Sequence, residues 1–231
     1  MKNLKYRAFL LGGVAVFGFS GLAVASPFGI ASITNCADGG AMVTSTTITW
    51  LPTAGPGLGC ITLGLPTSLS YSGGTLTSGT GTIEDLPGGP PPFISLAGGV
   101  LSFGLTAFQA PSPTDGICST STALASGHSC IVAVGSPFLL TSDGSTTTVT
   151  LVTLGTVTDT GNMSTAPWRG LFTTQSAFDT ASIASTIDGG GSETNTYSAT
   201  LLVGTPEPGT ISMFLLGAAL IGIGRKRFRK S

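Results

Sequence analysis

The chain has 231 residues, of which 35 are glycine, 14 are proline and only 8% are charged. Its formal net charge of −1 hides a strong segregation, because three of the nine basic residues lie within the first seven positions and five lie within 225–230. Residues 26–204 therefore keep one cation, Arg169, against nine carboxylates, a net charge of −8. A surface with one cation cannot neutralise a phosphate backbone, so nucleic acid is excluded as a partner.

Residues 1–25 have the three parts of a secretory signal peptide. Basic residues come first, an apolar stretch follows, and the segment ends in Ala23-Val24-Ala25. Signal peptidase reads small residues at the positions of Ala23 and Ala25, so we expect an N-terminal signal peptide helix that is cleaved before Ser26. The alternative is an uncleaved N-terminal anchor. This segment predicts the Sec export machinery and signal peptidase as partners.

Residues 26–204 are long enough for one exported domain with a substantial core. Their composition, rich in glycine and proline and poor in charge, favours short strands with many turns over long helices. Apolar and polar residues alternate in runs around Ile61-Leu63-Leu65, Leu101-Phe103-Leu105 and Tyr197-Ala199-Leu201, which predicts strands with one buried face. Asp-Gly pairs at 38–39, 115–116, 143–144 and 188–189 predict turns. The sequence thus indicates an all-β fold, a single β-sandwich-like domain.

Three segments depart from the simple alternation. In 145–158 the apolar phase changes between Leu151 and Val152, which predicts a bulge or a strand covered on both faces. Phe178, Ile183 and Ile187 have nearly helical spacing before Asp188-Gly189-Gly190-Gly191, so we expect one short helix there. The Pro-rich stretch 86–92 predicts an exposed, extended loop.

Four cysteines in an exported chain predict two disulfides. Three connectivities are possible, and proximity in sequence favours Cys36 to Cys60 and Cys118 to Cys130. A metal site using His128 and Cys130 is the alternative. The oxidising environment outside the cell disfavours it, and no Cys-x-x-Cys pair is present.

Candidate catalytic residues are few. His128 is the only histidine, and no Gly-x-Ser-x-Gly elbow accompanies it, so we interpret it as a loop or strand residue and not as a general base. Glu84 and Asp85 are the only adjacent carboxylates, and beside Pro87-Gly88 they fit a solvated turn better than a glycosidase pair. Calcium through the Asp-Gly turns lacks the expected Asp-x-Asp spacing. We therefore predict no enzymatic activity, no cofactor and no metal.

Aromatic residues supply the evidence for one alternative function, sugar binding. Trp50, Trp168, Tyr71, Tyr197 and Phe93 are the candidates for a sugar-stacking face. A β core uses the same residue types, and Trp50 is in phase with Ile48, which predicts a buried position. Trp168, between a proline and an arginine, is then the best candidate for an exposed ring.

The C-terminal segment 205–231 has three parts in a fixed order. The triplet Pro206-Glu207-Pro208 precedes the apolar run 209–224 and the basic tail 225–230, whose first residues are Arg225, Lys226 and Arg227. We predict a transmembrane helix over 209–224, stopped on the cytoplasmic side by the basic residues. Proline at 206 and 208 keeps the triplet extended just outside the membrane, where a protease can bind it. A permanent tail anchor is the alternative reading of the same apolar run.

This order resembles the PEP-CTERM sorting signal of bacterial surface proteins. The resemblance implies sorting by an exosortase-like membrane protease of Gram-negative bacteria that make exopolysaccharide, with Pro206, Glu207 and Pro208 as the residues recognised. It implies transient residence in the inner membrane and then a place at the cell surface or in the extracellular space. It assigns neither fold nor activity to 26–204.

From these observations we expect a non-enzymatic protein with a structural or adhesive role in the envelope or biofilm, with exopolysaccharide as a further candidate partner. The alternatives are a carbohydrate-binding module and, less favoured by the residues present, a secreted hydrolase.

Overall fold

The computed structural model describes residues 26–37, 39–45, 47–87 and 92–204. The predicted signal peptide, with Ala23 and Ala25, lies outside this part of the chain. So do the triplet 206–208, the predicted transmembrane helix 209–224 and the basic stop at Arg225, Lys226 and Arg227. Within the described residues, no helix has the length and apolar character needed to cross a membrane.

The regular secondary structure of the described residues is mostly β-strand, with one α-helix, α1, at Thr180–Asp188. The first strands are β1 Phe28–Asn35, β2 Gly40–Val43, β3 Ile48–Leu51, β4 Thr53–Gly55, β5 Leu58–Tyr71, β6 Gly74–Leu76, β7 Gly79–Glu84 and β8 Ile94–Leu96. The remaining strands are β9 Leu101–Phe108, β10 Ser129–Cys130, β11 Phe138–Ser142, β12 Thr147–Asp159, β13 Ser164–Ser176, β14 Glu193–Asn195 and β15 Tyr197–Val203.

Eight of these strands form one sheet that closes on itself. Their order is β12-β13-β15-β1-β5-β7-β8-β9, and β9 pairs again with β12, every pair being antiparallel. Strands β10 and β11 extend from the free half of the β12 edge, and β14, β2 and β3 form a separate small sheet.

The predicted two-sheet sandwich is therefore wrong, although the mostly β composition is confirmed. Strand β12 explains how closure arises, since its residues 147–151 pair with β11 and its residues 153–159 pair with β9 on the same edge. The inner face of a closed sheet and the inner face of a sandwich both repeat every two residues. Alternation in the sequence cannot distinguish them.

The closed sheet encloses the main core. Its inward residues are aliphatic over most of the length, and six aromatic rings run through it in successive contacts: Trp50, Tyr197, Phe172, Phe93, Trp168 and Phe103. Burying a large side chain of this kind contributes about 1.5–3 kcal/mol, so this core supplies much of the folding free energy. The predicted alternation of Tyr197, Ala199 and Leu201 is confirmed, because all three are buried.

Leu65 departs from the predicted pattern. Ile61 and Leu63 are buried, but Leu65 is 88% exposed. In the pairing of β5 with β1, Ile30 lies opposite Ser68 and Ser32 opposite Gly64, so β5 contains two extra residues at this point. This bulge turns Leu65 outward, and an alternating sequence carries no sign of it.

The phase change in β12 has a related cause. Its odd-numbered residues from Thr147 to Asp159 face inward throughout, and Val152 and Leu154 lie on the outer face, half-buried. The register of β12 with β13 is continuous, but its register with β9 shifts between Leu154 and Gly155. The phase change in the sequence therefore does not change which face of β12 points inward, and the bulge beside it is carried by β9, where Thr106 is the extra residue.

Helix α1 is confirmed at the predicted place. Asp179 is its N-cap and accepts a hydrogen bond from the Ser182 amide at 2.8 Å. Ile183 and Ile187 face a second apolar cluster on β11, together with Leu140 and the Cys118–Cys130 disulfide. Phe178 is not part of the buried helical face: it precedes the N-cap and is 56% exposed.

Both disulfides have the connectivity that sequence proximity favoured, Cys36 to Cys60 and Cys118 to Cys130. Their loops span 24 and 12 residues, and a loop of this size stabilises the folded state by about 3 kcal/mol on the chain-entropy model. The described residues contain no free cysteine, so Cys130 is not available as a metal ligand.

Candidate functional sites

The chain enters and leaves the closed sheet at the same edge. Gly29 of β1 lies opposite Val203 of β15, and the Gly204 amide donates to the Pro167 carbonyl at 2.8 Å. Ser26, the predicted first residue after signal cleavage, directly precedes this edge. We call this rim, with Phe28, Ser70 and Gly204, the terminal edge. Both predicted processing points are therefore attached to one end of the folded body.

The opposite end of the closed sheet carries the other special features. Val203 lies six residue steps from Tyr197 along β15, about 20 Å at the rise of an extended strand. At the far end lie the Cys36–Cys60 disulfide, the small sheet β14-β2-β3 and helix α1. We call this the distal end.

A cavity of about 380 Å³ opens at the distal end. Its floor comes from Phe138 and Val149, one wall from Ile183 and Ile187 of α1, and another from the loop 132–137. Strand β2 closes the remaining side. We call it the distal cavity. Apolar side chains from four separate parts of the chain meet here, so the space exists only in the folded protein.

Two carboxylates line the mouth of the distal cavity. Asp188 ends helix α1, and Glu193 begins β14. Arg169, the one arginine or lysine within the described residues, lies on β13 and donates to the Gln109 side chain at 3.3 Å. Neither carboxylate forms an ion pair within the described part of the chain. The mouth is therefore electronegative.

A smaller inner cavity of about 40 Å³ adjoins the distal cavity and shares lining residues with it, including Val43, Phe138 and Val149. Tyr197 lines the inner cavity and is 5% exposed. Its hydroxyl has no hydrogen-bond partner among the described residues, and burial raises the pKa of this hydroxyl above its usual range. The Tyr197 hydroxyl is thus a neutral donor buried beside the inner cavity.

Asp115 and His128 form a pair that the sequence analysis missed. The imidazole Nδ1 lies 2.9 Å from Asp115 Oδ2, and Thr114 Oγ1 donates to the same oxygen at 2.6 Å. The Thr114 hydroxyl, followed by His128, lowers the pKa of Asp115. The predicted Cys118–Cys130 disulfide could have indicated this pair. Asp115 precedes Cys118 by three positions and His128 precedes Cys130 by two, so the disulfide brings both residues close together.

This pair is half exposed and does not include a nucleophile. Ser129 Oγ bonds to the Thr114 amide at 3.1 Å instead of the imidazole, and the residue is buried. Across the described residues, no three His, Cys, Asp or Glu side chains are grouped closely enough to hold a metal ion. The arrangement orients an imidazole at the surface and stabilises the loop before β10.

The prediction of a solvated turn at Glu84 and Asp85 is wrong. Glu84 is the last residue of β7 and is 8% exposed, and burial, followed by the neighbouring Asp85 charge, raises the pKa of Glu84. Asp85 Oδ1 accepts from the Trp50 amide at 2.7 Å, while the Trp50 indole donates to the Glu84 carbonyl at 2.8 Å. These residues attach β3 to the closed sheet.

The predicted aromatic sugar-binding face is also wrong in its main candidate. Trp168 is 3% exposed, donates its indole N–H to the Gly104 carbonyl at 3.0 Å and stacks on Phe93 at 6.1 Å between ring centroids. Trp50, Tyr197 and Phe93 are buried as well, as expected for Trp50. The alternation along β13 places Trp168 inside, which its proline and arginine neighbours concealed.

Comparison with family models identifies the C-terminal segment. Residues 205–230 match the PEP-CTERM protein-sorting motif, the signal that the triplet, apolar run and basic tail resemble. The match implies export, membrane-associated sorting by exosortase-type machinery and a final place at the surface. Comparison with curated proteins and with solved structures finds no match.

Proposed function

We propose that this chain with a PEP-CTERM tail is the precursor of a non-enzymatic surface or matrix protein, with a structural or adhesive role in the envelope or biofilm. The tail match carries the proposal. The body is a disulfide-linked closed sheet with a continuous apolar core, a construction suited to persistence outside the cell.

The position of the tail supports this role. Gly204 is hydrogen-bonded into the terminal edge, and the triplet begins two residues later. An extended chain covers at most about 3.6 Å per residue, so the sorting enzyme acts close to this edge when it meets the folded body. The distal end then points away from the membrane and is free for contacts. Exopolysaccharide is a candidate partner.

The sorting step is tested by Glu207→Ala with Pro208→Ala in the native host, with Ser212→Ala as a matched control in the same tail. We expect the motif variant to be exported normally but to stay in the inner membrane with residues 225–230 attached. The wild type and the control should lose them. Intact-mass measurement of the purified protein reports both cleavages and any attached group.

The proposal fails if mature wild-type protein keeps a peptide containing Phe228 in a host that has the sorting enzyme. In that case the tail is a permanent anchor. For the structural role, the matching test is deletion of the gene segment for 26–204 while both signals are kept. A biofilm of unchanged mass and cohesion would contradict it.

A further inference from the structure

We propose that the distal cavity binds a small molecule that combines an apolar body with a positively charged amine. This inference is independent of the structural or adhesive role, because it depends only on the folded body. The volume of the distal cavity, about 380 Å³, lies within the range of about 300–1,000 Å³ that is usual for small-molecule sites.

The walls of the cavity are apolar and held in place. Ile183 and Ile187 on α1 are buried in the second apolar cluster, and that cluster includes the Cys118–Cys130 disulfide. The facing loop 132–137 carries Val134, which is 85% exposed and lines the cavity. Val134 thereby adds to the apolar lining that a ligand would cover.

The electrostatics of the mouth select the charge of the ligand. Asp188 and Glu193 line it without a cationic partner among the described residues. The exported body has a net charge of −8, so the field around it repels anions and attracts cations. A fatty acid would bring its carboxylate to this mouth against that field, whereas an ammonium group would find two carboxylates there.

The inner cavity continues the apolar surface of the distal cavity through shared lining residues such as Phe138 and Val149. The Tyr197 hydroxyl, buried beside it, has no hydrogen-bond partner among the described residues, a state that costs about 1–3 kcal/mol when nothing accepts its proton. The inner cavity is about the size of one water molecule, whose share of liquid volume is about 30 Å³. The inner cavity therefore extends the apolar lining that faces the body of the ligand.

The test compares three probes of equal chain length: octylammonium, octan-1-ol and octanoate. Each is titrated into the exported mature protein at neutral pH, and binding is followed by amide chemical shifts. We expect octylammonium to bind about two- to tenfold more tightly than octan-1-ol, because Asp188 and Glu193 attract its ammonium group. Octanoate should bind most weakly, because the same carboxylates repel it. The largest shifts should fall on Val134 and Ile187.

Two variants make the test specific. Asp188→Asn with Glu193→Gln should remove the preference for octylammonium and leave octan-1-ol binding unchanged. The control Asp143→Asn, in the exposed turn after β11, should keep the preference for octylammonium. Ala133→Trp, on the exposed loop, should block the mouth of the distal cavity and weaken the binding of all three probes at least tenfold. The proposal is overturned by absence of binding, by equal binding of the three probes, or by unchanged binding to Ala133→Trp.

Discussion

The indole ring of Trp168 occupies space that Gly155, its direct partner across β12 and β13, leaves free. A Cβ atom at Gly155 would lie 2.5 Å from Trp168 Nε1 and would also collide with the Gly104 carbonyl, the acceptor of the indole N–H. Gly155 on β12 therefore leaves room for the Trp168 ring on β13. It also allows the Gly104 carbonyl of β9 to approach β12 closely.

Gly155→Ala should destabilise the protein by at least about 2 kcal/mol, since the clash involves backbone and a buried ring that cannot move away. Gly64→Ala on β5 is the matched control, because a Cβ atom there meets nothing within 4 Å. Urea denaturation of the two variants measures the difference. Equal midpoints would contradict the packing described for Trp168.

Asp159 should make the protein sensitive to acid. The residue is fully buried, and burial by itself raises the pKa of its carboxyl, but donation from the Ser72 amide, the Ser72 hydroxyl and the Gly161 amide brings this pKa below its usual value of 3.8. A carboxyl with a depressed folded-state pKa contributes stability above its unfolded pKa and loses it as the pH falls through the folded value.

Asp159→Asn should therefore cost about 1–3 kcal/mol at pH 7, because an amide cannot accept all three hydrogen bonds. The difference in unfolding free energy between wild type and variant should stay constant down to about pH 5 and shrink below about pH 4. Asp188→Asn, at an exposed carboxylate, is the control. Unfolding free energies measured from pH 7 to pH 3 decide the matter, and a gap independent of pH would refute this account.

Helix α1 should depend on its buried face. Ile183→Ala removes a side chain that is 4% exposed in the second apolar cluster and should cost about 2–4 kcal/mol. Ser185→Ala, at an exposed position of the same helix, should change stability by less than about 0.5 kcal/mol. Chemical denaturation of both variants provides the comparison. A small effect of Ile183→Ala would mean that α1 is not packed as described.

His128 should not support hydrolysis, because no nucleophile is paired with its imidazole: the neighbouring Ser129 is buried and its Oγ accepts from the Thr114 amide. We expect no turnover of ester, peptide or glycoside substrates that is lost in His128→Ala. Ser121→Ala, in the same exposed loop, is the control for general damage. Turnover that disappears in the histidine variant and persists in the control would establish a catalytic role.

The sequence by itself determined what local patterns encode. The order of triplet, apolar run and basic tail was enough to predict the PEP-CTERM match over 205–230. Proximity of cysteines predicted both disulfides, and the spacing of Ile183 and Ile187 before Asp188-Gly189-Gly190-Gly191 predicted α1. These features depend on neighbours within about 25 positions, so one segment of sequence contains all of their causes.

Only the tertiary structure decided how the strands are assembled. The closure of β9 on β12 depends on which part of one edge of β12 remains free after β11 has paired, and period-two alternation is the same in a closed sheet and in a sandwich. Leu65 faces solvent because of the bulge in the pairing of β5 with β1, and Trp168 lies in the core because β13 turns that face inward. The distal cavity joins residues from 41 to 195, and its chemistry arises where distant segments meet.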